Sequence, residues 1–180
     1  MPYEIRPLTE PDLRSYRALR MQALTECPTA FGATPRTEQA LEDAQILHRF
    51  GGGPGQIMWG GFDDAGVLCA TLGMYRDTGE KTAHKGHLFA MYVNQQARGQ
   101  GLARRLLEIA IAHASALPLR QLMLGCNASN RNALRLYEHA GFQIYGREPA
   151  ALYVNGEFFD EVLMVRPLAS SQPHPVPSKA

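Results

Sequence analysis

The stretch Met91-Tyr92-Val93-Asn94-Gln95-Gln96-Ala97-Arg98-Gly99-Gln100-Gly101-Leu102-Ala103-Arg104-Arg105 changes its period halfway along. Upstream, His84 to Val93 reads as a long strand. Downstream, Leu102, Leu106, Leu107, Ala110, Ile111 and Ala114 share one face of a helix from Gly101 to about Ser115. Arg104, Arg105 and Glu108 take the other face. Between the two, Gly99 and Gly101 let the backbone curl, so that successive N–H groups point into one concavity. The helix start adds unsatisfied donors and a partial positive charge. These features make a candidate pyrophosphate site, to which Arg98 and Arg104 would add charge. A plain glycine turn before an ordinary helix fits the same residues. No Lys-Ser/Thr follows, so the turn is not a P-loop. Arg104 stands where a dinucleotide fingerprint has its third glycine.

Outward from this crossover, the pattern predicts β-α-α-β-β-β-α-β-α-β-β, an α/β protein with one mixed sheet. Tyr3 to Pro7 is a first strand. Thr9 caps a helix reaching about Leu24, with Pro11 and Asp12 in its first turn. A second helix is expected from Thr37 to Arg49. Gly51-Gly52-Gly53-Pro54-Gly55 reads as a turn. Ile57 to Phe62 and Val67 to Tyr75 form a hairpin through Asp63-Asp64-Ala65-Gly66. Gln121 to Cys126 is a strand and Asn130 to Ala140 a helix stopped by Gly141. Phe142 to Arg147 and Glu157 to Val165 are the last strands, the latter entered through Asn155-Gly156.

A chain of 180 residues with 45% apolar content suits one soluble domain, expected over residues 1–168. Residues 169–180, rich in Pro and Ser, are expected to be a flexible tail. A net charge of +1 supplies no general field for nucleic acid or an anionic membrane. Cys27, Cys69 and Cys126 form no CxxC pair, so no zinc or other metal site is expected. Their odd number fits a reducing compartment, and no apolar run approaches a membrane span; a cytoplasmic protein is expected.

A second motif follows the glycine turn: Asn130-Arg131-Asn132-Ala133-Leu134-Arg135-Leu136-Tyr137-Glu138-His139-Ala140-Gly141-Phe142. With it, the chain resembles the GCN5-related N-acetyltransferase (GNAT) superfamily. Gln96, Gly99 and Gly101 match that family's acyl-CoA motif, and Asn130, Ala133, Leu136, Tyr137, Gly141 and Phe142 match its second motif. Order and spacing agree over about Leu88 to Phe142.

The resemblance implies a mostly antiparallel sheet whose central strands splay to admit acetyl-CoA. Met91, Tyr92 and Val93 would offer backbone groups to the pantetheine, with an N–H near Val93 polarising the acetyl carbonyl. Gln96 through Arg104, including Gln100, Leu102 and Ala103, would hold the pyrophosphate. Asn130 would hydrogen-bond the pantetheine arm or an ordered water and Ala133 would contact the cofactor, although Asn130 also suits a helix cap. Tyr137 would protonate the departing thiolate; a core tyrosine fits its position equally.

Many family members carry a glutamate on the strand before the glycine turn. Here that strand reads His84-Lys85-Gly86-His87-Leu88-Phe89-Ala90-Met91 and has no carboxylate. His87 is the nearest candidate base, with His84 or a water chain as alternatives. Cys126 as a nucleophile is disfavoured by its core-like setting. The acceptor amine would meet Phe31, Gly32 and Tyr153, with Phe158 nearby. Glu157, Asp160 and Glu161 are either an ammonium-attracting group or a solvated charge cluster. The implied activity is direct acetyl transfer to a primary amine by a monomer or homodimer. A non-catalytic acyl-CoA sensor and a nucleotide-binding domain are the rival readings.

Overall fold

The computed structural model describes residues 3–53 and 55–168. The expected tail at 169–180 lies outside the described residues. One seven-stranded sheet runs through the molecule in the order β1-β2-β3-β4-β5-β7-β6. Its strands are β1 (Tyr3–Pro7), β2 (Ile57–Asp63), β3 (Leu68–Arg76), β4 (Lys85–Val93), β5 (Gln121–Asn127), β6 (Gln143–Val154) and β7 (Glu157–Pro167). Only β4 and β5 are parallel; every other neighbouring pair is antiparallel.

One face of the sheet carries α4 (Leu102–Ser115) and α5 (Arg131–His139). Leu102, Leu106, Leu107, Ala110 and Ala114 of α4 are buried there, among Trp59, Leu72, Met74 and Leu122. The helical period read from the sequence therefore marks the packed face. The other face carries α1 (Leu13–Glu26), α2 (Pro35–Gln39) and α3 (Asp43–Gly51). Tyr16, Leu19 and Ala23 of α1 and Ile46 and Phe50 of α3 pack there on Met58, Phe62 and Leu68.

Ion pairs frame this second layer. Asp12, in the 3₁₀ turn before α1, receives both Nη groups of Arg6 at 2.7 and 2.8 Å and the Thr9 N–H at 2.8 Å. Those bonds, led by Arg6, hold its carboxyl down to about 2. Glu38 on α2 is buried between Arg49 Nη1 at 2.5 Å and Arg20 Nε at 3.4 Å.

Two expectations need correction. The single helix predicted over Thr37–Arg49 is two helices. Glu42 is extended, with φ −70° and ψ 158°, and its N–H donates to Gln45 Oε1 at 2.9 Å, so a new capping box starts α3. The strand predicted to end at Arg147 continues to Val154. It passes Pro149 through an irregular register between Glu148 and Leu152, where Ala150 has φ 52°. Asp160 accepts the Ala150 N–H at 2.8 Å and the Arg147 Nε at 2.8 Å, which pins the bulge.

Candidate active site

The sheet opens at its centre. β4 and β5 pair at Lys85–Gln121, Gly86–Leu122 and His87–Met123, and then part. Beyond that point β4 stays with β3, while β5 stays with β7 as far as Asn127. A bulge in β4 accompanies the parting: Thr71 faces Tyr92 and Gly73 faces Phe89, leaving two β4 residues opposite Leu72. Ala90, in the bulge, has φ 52°, and the buried Thr71 hydroxyl donates to its carbonyl at 3.1 Å. Such a bulge bends a strand and increases its twist. The edge of β4 that faces β5 thus loses its ladder partner just where Leu88 to Met91 line a cleft.

Leu124 to Asn127 form the opposite wall of that cleft. Asn130, at the N-cap of α5, and Ala133, Leu136 and Tyr137 within it close one side, and Ala30 and Phe31 close another. Asn130 caps α5, its side chain accepting the Ala133 N–H at 3.1 Å. Tyr137 is buried, with its ring edge-on to Phe142 at 5.9 Å. Among the described residues its hydroxyl has no hydrogen-bond partner. Desolvation, helped by the Cys126 thiol, raises its pKa well above the ordinary phenol value. It therefore keeps its proton throughout the neutral range. Desolvation followed by Glu161 pushes the Cys126 thiol up to about 11, so that thiol is a poor nucleophile.

At the end of β4 the chain enters the glycine turn. Gly99 and Gly101 both have φ +77°, and a Cβ at either would meet open space. Their backbone angle, rather than crowding, is what asks for glycine. Gly101 is the N-cap of α4 and no side chain caps that helix, so its first N–H groups are left for an incoming acceptor. This is a cradle suited to phosphate oxygens.

Residues 19–142 match the family described as "Acetyltransferase (GNAT) family". The chain belongs to this family. It is similar to a putative phosphinothricin acetyltransferase, YwnH, of Bacillus subtilis, with 27% identity over 59% of this chain and 66% of that protein. It is also similar to the mycothiol acetyltransferase of Geodermatophilus obscurus, with 37% identity over 32% of this chain and 18% of that one. The match thus spans just under two thirds of the first relative and under a fifth of the second. An acetyltransferase of the GNAT family from Streptococcus pneumoniae superposes with a TM-score of 0.82 at 25% identity, covering 93% of this chain and 99% of that one. A phosphinothricin acetyltransferase from Sinorhizobium meliloti, solved with AcCoA, shares the fold with a TM-score of 0.84 at 21% identity, over 99% and 95% of the two chains.

Within this GNAT-family chain, the residues singled out from the sequence divide sharply. Met91, Asn130, Ala133, Tyr137 and Phe31 meet at the cleft. Tyr92 turns its buried ring to the α1 face, where its hydroxyl donates to Glu26 Oε2 at 2.7 Å. The Val93 carbonyl accepts Arg98 Nε at 3.0 Å, and Arg98 also reaches Glu26 at 3.4 Å. Arg104 is exposed and paired with Glu108 at 2.8 Å. Gln96 and Gln100 are exposed and joined to each other, Gln100 Nε2 donating to the Gln96 carbonyl at 3.2 Å. Leu102 is buried and Ala103 half-buried, so both bring backbone to the cradle while Leu102 sends its side chain to the core.

Three predicted residues stand apart from the cleft. His87 sits where β4 and β5 are still paired. Its ring stacks on Tyr75 at 4.8 Å, and its Nε2 lies 3.0 Å from Asp77 Oδ1. Despite that distance, the buried Nε2 makes no hydrogen bond. Tyr153 is 66% exposed at the β6–β7 hairpin, tilted against Phe158 at 4.9 Å. Gly32 is exposed in the loop after Phe31.

Two positioning residues carry little or no signal in the sequence. The buried Asn127 donates to the Thr29 carbonyl at 2.9 Å and accepts the Ser129 N–H at 2.8 Å, tying the Thr29–Phe31 segment to the end of β5. Its only sequence signal is the Asn-x-Ser of an Asx turn. Arg20 lays its guanidinium over Phe31, 4.7 Å from the ring centroid. Nothing local in α1 announces that contact. Among the described residues no helix is long and apolar enough to cross a membrane. Nor is there among them a group of three or more His, Cys, Asp or Glu able to hold a metal ion.

Proposed function

We propose that this chain transfers an acetyl group from acetyl-CoA to a primary amine of a small molecule or peptide, directly and within a ternary complex. The observation that carries the reading is the opening between β4 and β5, lined by Tyr137 and continuous in sequence with the glycine cradle at the start of α4. The cradle suits the pyrophosphate, and the apolar cleft suits the pantetheine arm. The unpaired backbone edge of β4 at Leu88–Met91 offers donors where the acetyl carbonyl would lie. Tyr137 supplies the proton for the leaving thiolate: its burial keeps it protonated, and an alkyl thiolate is basic enough to take that proton. A proton route through His87 would need bridging water, since that ring is not among the cleft-lining side chains. The two relatives named for phosphinothricin and mycothiol agree with acetyl transfer and leave the acceptor open. A cytoplasmic location belongs to the same reading, supported by three free cysteines.

The test is thiol release from acetyl-CoA across a panel of primary amines, with product masses recorded. One free thiol per acetylated amine is expected. Binding of acetyl-CoA without thiol release for any amine would favour the sensor reading.

A further inference from the structure

Resting on the acetyl-transfer reading, we propose that Glu161 of β7 supplies the carboxylate that β4 lacks, receiving the acceptor's ammonium group and taking its proton. Glu161 pairs in register with Asn127, and its neighbour two residues on, Leu163, pairs with Gly125. A Cβ at Gly125 would stand 3.0 Å from Glu161 Oε2, so the carboxylate occupies the space that a side chain there would fill. Gly125 and Asn127 both line the cleft. Alternation along β5 sends Leu124 and Cys126 to the α4–α5 face, toward Tyr137. Gly125 and Glu161 accordingly lie on the opposite face, the one that carries Phe31 and Phe89. The carboxylate thus lies directly behind Gly125 of the cleft wall, on the face of Phe31 and Phe89, while Tyr137 lines the cleft from the other face.

The surroundings leave Glu161 free for this task. Its neighbour Asp160 is consumed by Arg147 and the Ala150 N–H, whereas Glu161 has no hydrogen bond or ion pair among the described residues. The charged group facing it is Glu148, directly opposite on β6, while the Cys126 thiol and the Tyr137 phenol lie near it on the other face of the sheet. Arg147 is turned to Asp160. Burial first, and the Glu148 charge second, raise the Glu161 carboxyl above the usual glutamate range. A raised carboxyl is a better base toward an ammonium than an ordinary one.

The protons balance. The ammonium gives one proton to Glu161, which passes it to solvent. The amine nitrogen forms its bond to the acetyl carbon and the carbon–sulfur bond breaks. The thiolate takes the Tyr137 proton, and the second proton shed by nitrogen restores the phenol.

The experiment compares wild type, Glu161→Gln, Glu148→Gln and His87→Ala, using acetyl-CoA and an amine that the wild type acetylates. Acetyl-CoA affinity is measured separately by calorimetry. Glu161→Gln is expected to lower kcat by about 100-fold or more, with acetyl-CoA affinity unchanged, and to abolish the fall of kcat toward acid pH. Glu148→Gln is expected to move that fall to lower pH, because one neighbouring negative charge is gone. A role in structure alone would not produce that shift. An unaltered profile in Glu161→Gln, or loss of the acid limb in His87→Ala instead, would overturn the assignment. Failure of the wild type to release thiol with any amine would overturn the acetyl-transfer reading itself.

Discussion

The two faces of the sheet are built by different means. The α4–α5 face is held by aliphatic side chains, with Leu106 and Ala110 fully buried. The α1–α3 face is framed by charge: Arg6 with Asp12, Arg17 with Asp43, and Glu38 between Arg20 and Arg49. Aliphatic packing is indifferent to pH, whereas each ion pair needs its carboxylate ionised. The α4–α5 face, the cofactor side in the proposed reading, is therefore the less pH-sensitive half. The α1–α3 face, the proposed acceptor side, is the half that conditions and substitutions can tune.

The largest expected effect sets the two faces against each other. Leu106→Ala should cost about 3 kcal/mol of stability, with little dependence on pH. Asp12→Asn should cost about 2 kcal/mol at neutral pH, from a carboxyl held near 2 in the fold against about 3.9 unfolded. A lowered folded-state value stabilises above the unfolded value. The deficit of Asp12→Asn should therefore shrink as pH falls below about 4 and largely vanish by about 2. Denaturant melts across pH measure both; a pH-independent deficit for Asp12→Asn would erase the contrast between the faces.

A smaller effect probes the cradle. Gly101 has φ +77°, and alanine there costs about 1 kcal/mol of backbone strain. Gly101→Ala should weaken acetyl-CoA binding by about tenfold, read by calorimetry, because relief of that strain displaces the first N–H groups of α4. The smallest effect probes the acceptor loop. Asn127→Ala frees Thr29 and Ser129 and should raise the amine KM by about fivefold, roughly one hydrogen bond's worth. Its acetyl-CoA affinity should not change. An equal loss for both substrates would mean that the loop serves the cofactor side as well.

The same contrast governs what the sequence discloses. The cofactor half depends on contiguous residues. Gly99 and Gly101 set a turn, Leu102 to Ala114 mark a helix face, and Asn130 and Tyr137 sit one helix apart at fixed spacing. Each reads from local chemistry, and the α/β order follows from these elements. The acceptor half is assembled from residues far apart in the chain. Glu161 comes behind the cleft wall only because β7 pairs with β5 and because position 125 lacks a side chain. Arg20 meets Phe31, and Asn127 meets Thr29, through tertiary packing alone. Strand position singles out His87 but does not tell where β4 and β5 part. The break at Glu42 and the extension of β6 past Pro149 were hidden for a related reason. Both depend on side-chain-to-backbone bonds that compete with the regular pattern.

Acid catalysis by Tyr137 at the parted strands is tested by the effect of Tyr137→Phe on kcat for amine acetylation, alongside its acetyl-CoA dissociation constant. A fall in kcat of about 100-fold or more is expected, with the dissociation constant within about twofold of wild type, since only the proton donor is removed. An unchanged kcat, or a loss confined to acetyl-CoA binding, would contradict it.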